Sequence, residues 1–109
     1  MKVLVVDDSP TMRRIVVQML KRIGYKNIVE ADHGKDALAR LKAEGNFELL
    51  LTDWNMPIMN GLELVQAVRA DPQLASLPIL MVTTRNMKQD IVAAMRAGVN
   101  NYVTKPFDP

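Results

Sequence analysis

The sequence contains no cysteine, and that absence removes disulfide scaffolds, thiolate metal centres and cysteine nucleophiles together. A reducing, cytoplasmic setting is the natural expectation. Long apolar stretches are also missing: the runs at 3–6, 49–51 and 79–82 fall far short of the roughly 20 residues that span a bilayer, and no signal-like segment follows Met1. Neither membrane insertion nor secretion is expected. Neither sign of charge dominates, since 14 Lys and Arg against 12 Asp and Glu leave +2. These charges are scattered along the chain, too weak a bias for direct nucleic-acid binding. The only histidine, His33, falls near a predicted helix start and reads as a surface residue.

What is present is an ordinary globular composition, 49% hydrophobic and 24% charged, which excludes disorder, collagen and coiled coil. The 109 residues make one domain, 1–109, with no room for a second core. Short apolar runs alternate with helical periodicity. Residues 2–6 (KVLVV) form a β-branched run of the kind buried on both faces of a parallel sheet. Ser9 and Pro10 then open a helix in which Met12, Ile15, Val16, Met19, Leu20 and Ile23 recur at three- and four-residue spacing, and Gly24 ends it. Further strands are predicted at 27–31, 47–52, 78–83 and 101–104, with helices at 32–43, 62–70 and 88–97 between them. Strand and helix therefore alternate four times before a last strand. That order predicts an α/β fold, a doubly wound five-stranded parallel sheet with helices on both faces and ligands at the carboxyl ends of the strands.

The residues at those ends carry the chemistry. Asp7 and Asp8 follow the first strand, Asp53 the third and Lys105 the fifth, while Thr83 ends the fourth. An isolated Asp after a strand is usually a cap or turn former. Carboxylates gathered at one rim repel, and a divalent cation is the usual remedy. Mg²⁺ takes oxygen ligands and often bridges one or two carboxylates to a phosphate. Lys105 and Thr83 are then suited to a phosphoryl group's oxygens, and Asp53 is the candidate nucleophile. Thr83 and Tyr102, taken alone, read equally well as strand-end and core residues. Arg13 and Arg14 read as a solvated helix face. Trp54, beside Asp53, is placed to report on the site optically.

The segments VVDDSPTMRRIV (5–16), TDWNMPIMNGLEL (52–64), LPILMVT (77–83) and YVTKPF (102–107) together resemble a response-regulator receiver domain, specifically its single-domain chemotaxis members. The resemblance implies a flavodoxin-like sheet of order 2-1-3-4-5, an order known for this family. It implies that Asp53 accepts a phosphoryl group from a histidine kinase. Asp8, Asp53 and the backbone carbonyl of Asn55 would hold Mg²⁺, with Asp7 acting through a water. Lys105 and Thr83 would stabilise the phosphoryl group, behind a cis Lys105–Pro106 bond. Thr83 and Tyr102 would form the switch that exposes a surface for a downstream protein such as a flagellar motor switch component. The chain would be a self-phosphorylating and self-dephosphorylating switch, not a conventional enzyme.

Three positions tune that expectation. Thr84 replaces a smaller residue and narrows the path to the site, Arg85 replaces an acid of the chemotaxis members, and Asn55 lies two residues past the acceptor. The sequence stops at Asp108–Pro109, short of the family's last helix. An apolar face of several hundred Å², about 5 to 10 kcal/mol of burial, is expected to lie open to a second copy by dimerisation or element exchange. A receiver cut from a longer regulator with DNA-binding or enzymatic output is the first alternative. An aspartyl-phosphate phosphatase is a weaker one, since Asn55 stands where such an enzyme places its acid. A flavin module is weaker still, because the first loop carries acids where a phosphate wants N–H groups.

Overall fold

A computed structural model describes residues 2–105; the expected Lys105–Pro106 geometry lies outside the described residues. The order is β1 (Lys2–Val6), α1 (Pro10–Arg22), β2 (Asn27–Ala31), α2 (Gly34–Glu44), β3 (Phe47–Thr52), α3 (Gly61–Ala70), β4 (Ile79–Thr83), α4 (Lys88–Ala97) and β5 (Asn101–Thr104). All strand pairs are parallel and the order is β2-β1-β3-β4-β5. The chain turns back across β1, so the loops after β1 and β3 open on the same crevice. Val3, Leu4, Val5 and Val6 are all buried, as a central parallel strand covered on both faces requires.

Local signals set the helix ends. The Ser9 hydroxyl accepts the Met12 N–H at 3.2 Å, with Pro10 in the first turn of α1. Gly98 closes α4 at φ 118°, a left-handed conformation that a side chain disfavours. The second helix begins two residues later than periodicity predicts. His33 Nδ1 accepts the Asp36 N–H at 3.1 Å, so the imidazole acts as an N-cap, a role its composition does not advertise.

Two apolar layers flank the sheet. The larger packs Leu4, Leu50, Ile79 and Met81 against Ala37 and Leu41 of α2, Leu64, Val65 and Val68 of α3 and Ala94 of α4. On the other face, Val3, Val5, Leu51 and Val82 meet Val16, Val17 and Leu20 of α1. Of the stripe predicted on α1, Ile15 and Ile23 remain 43% and 72% exposed, while Val17 is buried. The helix covers only part of the sheet. Beside it, among the described residues, Val16, Met19, Leu20, Ile23, Leu51, Leu80, Val82 and Val103 line an apolar groove of about 250 Å³.

One guanidinium ties the lower rim together. Arg69 of α3 donates to the Gly98 carbonyl at 2.9 and 2.7 Å, to the Ala75 and Leu77 carbonyls at 2.9 and 2.6 Å, and to Asn100 Oδ1 at 3.0 Å. Burial lowers its pKa from the ordinary arginine value without threatening its charge. Arg69→Ala strips three carbonyls of a charged donor and is expected to cost about 2 kcal/mol, read as a lower urea midpoint; Arg69→Lys, lacking the planar fork, should recover little of it.

Candidate functional site

Three strands deliver the site. Beyond β1, the Asp7 N–H donates to the Ala31 carbonyl at 3.2 Å, and its carboxylate accepts the Ser9 N–H at 2.9 Å. Beyond β3, the Asp53 N–H donates to the Val6 carbonyl at 2.9 Å, extending the ladder by one residue so that both acids emerge on the same side. Beyond β5, the Lys105 N–H donates to the Thr83 carbonyl at 2.8 Å, which carries its ammonium back over the rim.

The ammonium bonds both acids, at 2.6 Å to Asp7 and 3.3 Å to Asp53. The side chains of Lys105, Asp7 and Asp53 are only 5%, 4% and 13% exposed, so each charge depends on its partner for what water no longer supplies. Asp8 is exposed and completes the cluster: each of Asp7, Asp8 and Asp53 offers an oxygen within 4.8 Å of the others. Two ligands across a hard cation at about 2.1 Å lie about 4 Å apart, so one ion can be shared by this set. Three carboxylates against one ammonium leave a formal charge of −2, which a divalent cation cancels. Among the described residues no other such cluster occurs. The donors are all hard oxygens, and the residues fit a divalent ion.

The loop after β3 is tightly closed. The Trp54 N–H donates to the Asp53 carboxylate at 2.6 Å, and the Gly61 N–H returns to the Trp54 carbonyl at 2.8 Å. A Cβ at Gly61 would collide with the Asp53 carbonyl oxygen, so only glycine permits this closure. Asn60 and Glu63 form a capping box at 2.8 and 3.0 Å that starts α3 at that point. Inside the loop Ile58 is held at φ 71° with its side chain 71% exposed, a strained conformation for a β-branched residue.

Thr83 is fully buried, its hydroxyl accepting the Arg85 N–H at 3.3 Å. Thr84 is exposed at the rim. The Arg85 guanidinium donates to Asn55 Oδ1 at 3.0 Å, pairs with Asp90 at 3.4 Å and lies 4.6 Å from the Trp54 ring centre. Tyr102 is half-buried, and its hydroxyl donates to the Arg85 carbonyl at 2.8 Å. Burial foremost, then the Asp90 carboxylate, raise the Tyr102 pKa above the ordinary tyrosine value; Arg85 opposes the shift and Asp53 adds to it.

The structure thus brings together Asp7, Asp8, Asp53, Thr83 and Lys105, and places Asn55, Arg85 and Tyr102 in an adjoining network. Arg13 corrects the sequence expectation. It is no solvated side chain: it donates to the Asp7 carbonyl at 2.5 Å and pairs with Glu30 of β2 at 2.9 Å, bracing the acidic loop. Nothing local distinguishes it from Arg14, because Glu30 arrives only through the sheet.

Comparison with known proteins agrees with the fold. The family description "Response regulator receiver domain" matches residues 3–109. The chain is 53% identical to the chemotaxis protein CheY1 of Helicobacter pylori, over all of this chain and 88% of that protein. Among solved structures, chemotaxis response regulator CheY4 of Vibrio cholerae superposes with a TM-score of 0.90 at 38% identity, over 99% of this chain and 88% of that one. The response regulator Rcp1, solved in a Mn²⁺-bound form, gives 0.85 at 28% identity over 99% and 84%.

Two outcomes are expected here. Ile58→Gly should raise stability by about 1 kcal/mol in urea titration, since the strain relieved exceeds the entropy glycine adds to the unfolded chain. A tyrosine with a raised folded-state pKa contributes stability that is complete below its unfolded value, about 10, and lost as pH climbs through the folded one. Tyr102→Phe should therefore lose less stability than the parent protein when denaturation midpoints are compared upward from about pH 10.

Proposed function

Because the chain belongs to the response regulator receiver domain family, we propose that it is a phosphorylation switch of the chemotaxis type, with Asp53 as phosphoacceptor. The observation that carries this reading is the Lys105 ammonium on both Asp7 and Asp53, with the Asp8 carboxylate beside them. Asp8, Asp53 and the Asn55 backbone carbonyl would hold Mg²⁺, with Asp7 acting through a water, and the bound ion would supply charge neutralisation to the transferring phosphoryl group. Mn²⁺ in the related Rcp1 supports a divalent ion of this class.

The donor is a phosphohistidine on a sensor kinase. An Asp53 oxygen attacks the phosphorus; the new O–P bond forms as the N–P bond breaks, and the departing imidazole nitrogen takes the electron pair and then a proton. The carboxylate needs no general base. Lys105 offers the incoming group a positive charge and Thr83 a hydroxyl. Hydrolysis returns Asp53, so the protein cycles between two states and turns over no free substrate in the ordinary sense.

Thr83 and Tyr102 then pass the change to the face formed by α4 and β5, where a downstream protein such as a flagellar motor switch component would dock. The 53% identity to the H. pylori chemotaxis protein favours this reading over a receiver serving a DNA-binding or enzymatic output. Asn55, bonded to Arg85, offers no carboxyl acid for a phosphatase.

Trp54, the sole tryptophan, is buried beside Asp53 and supplies the test. Its fluorescence should change on Mg²⁺ addition and again with beryllofluoride, and Asp53→Asn should abolish the second change. A beryllofluoride response that survives in Asp53→Asn would overturn the assignment. In the same assay with acetyl phosphate, Thr84→Ala should speed the response if Thr84 narrows access; equal rates would remove Thr84 from the rate-tuning set.

A further inference from the structure

Arg85 is joined to five residues through its backbone and its guanidinium. Its N–H donates to Thr83, its carbonyl accepts from Tyr102, and its guanidinium holds Asn55 and Asp90 while lying over Trp54. These partners come from four elements: the end of β4, β5, the loop after β3, and α4. An arginine fork is planar and can fill two acceptors while stacking on a ring. A mere surface charge at this place would satisfy one partner or none.

We infer that Arg85 is a positioning residue that holds Tyr102 inward by locking its own backbone carbonyl against the phosphoacceptor loop. With the guanidinium pinned to Asn55, Asp90 and Trp54, the segment after β4 has little freedom, and its carbonyl stays where the Tyr102 hydroxyl finds it. Freed of that anchor, the segment moves, the 2.8 Å bond is lost, and the ring turns toward solvent. The position of Tyr102 is then set by contacts around Asn55 and Trp54, next to Asp53, and not by Thr83 alone. This deepens the switch reading above and rests on it for its biological meaning.

The test uses the protein without Mg²⁺ or phosphodonor. In a Tyr25→Phe background Tyr102 is the sole tyrosine, since the chain has two, and its ionisation can be followed by near-ultraviolet absorbance. The charges facing it are Asp90, Arg85 and Asp53. Removing Arg85 as a charge alone would raise the Tyr102 pKa further, because a cation that favours the phenolate is gone. Removing it as a clamp releases the ring from burial and lowers the pKa toward the ordinary value of about 10. The expected result for Arg85→Ala is the fall, together with a changed Trp54 emission, and Arg85→Lys should lie between it and the parent. Arg85→Met keeps the side-chain bulk and serves if the alanine variant is poorly folded. A rise in the Tyr102 pKa, or no change, in a folded variant would overturn the clamp. Neither outcome touches Asp53, whose role is tested separately with beryllofluoride.

Discussion

Bringing Asp7 and Asp53 out of water beside one another is the constraint around which the rest of the chain is arranged. Two carboxylates at this burial repel strongly, and the Lys105 ammonium at 2.6 and 3.3 Å is what allows them to coexist. Its removal would leave a buried pair of like charges, a loss on the order of 3 to 5 kcal/mol. The lysine reaches them only because β5 is hydrogen-bonded alongside β4 and its ladder continues to Lys105. A site with surplus negative charge is thereby built into the fold and is matched to a divalent ion and a phosphoryl group.

Rigidity around that cluster comes from backbone closure. Gly61 lies so near Asp53 that no side chain fits, Ile58 sits at a positive φ, and the Asn60–Glu63 box starts α3 directly below. Strain of this kind persists only where surrounding bonds over-determine the path. Arg13 performs a similar service for the loop after β1, holding the Asp7 carbonyl from the side of β2. The acids are therefore held by contacts that reach into α1, β2 and α3.

The opposite rim of the site is built differently. Thr83, Asp90 and Tyr102 are joined through Arg85 by single hydrogen bonds and one part-buried ion pair, interactions worth about 1 kcal/mol each, so the hold on this wall runs through one residue. A contrast of this sort, a fixed acidic floor beside a wall held through one residue, is what a two-state element needs. The floor keeps the chemistry in place while modest energies move the wall.

Much of this was legible in the chain. Alternating β-branched runs and 3.6-residue periodicity determined the order of strands and helices, and the residue following each strand identified Asp7, Asp8, Asp53, Thr83 and Lys105, because the ends of parallel strands necessarily share one edge. Tertiary structure alone decided which charges meet. Arg13 and Arg14 are indistinguishable in sequence, yet only Arg13 finds Glu30 and the Asp7 carbonyl. Arg85 reads as an isolated cation until β4 and β5 pair and bring Tyr102, Asn55 and Asp90 around it. Periodicity reports which way a residue faces along its own element; a partner 17 or 30 positions away is chosen by sheet register and loop closure, which no local pattern encodes.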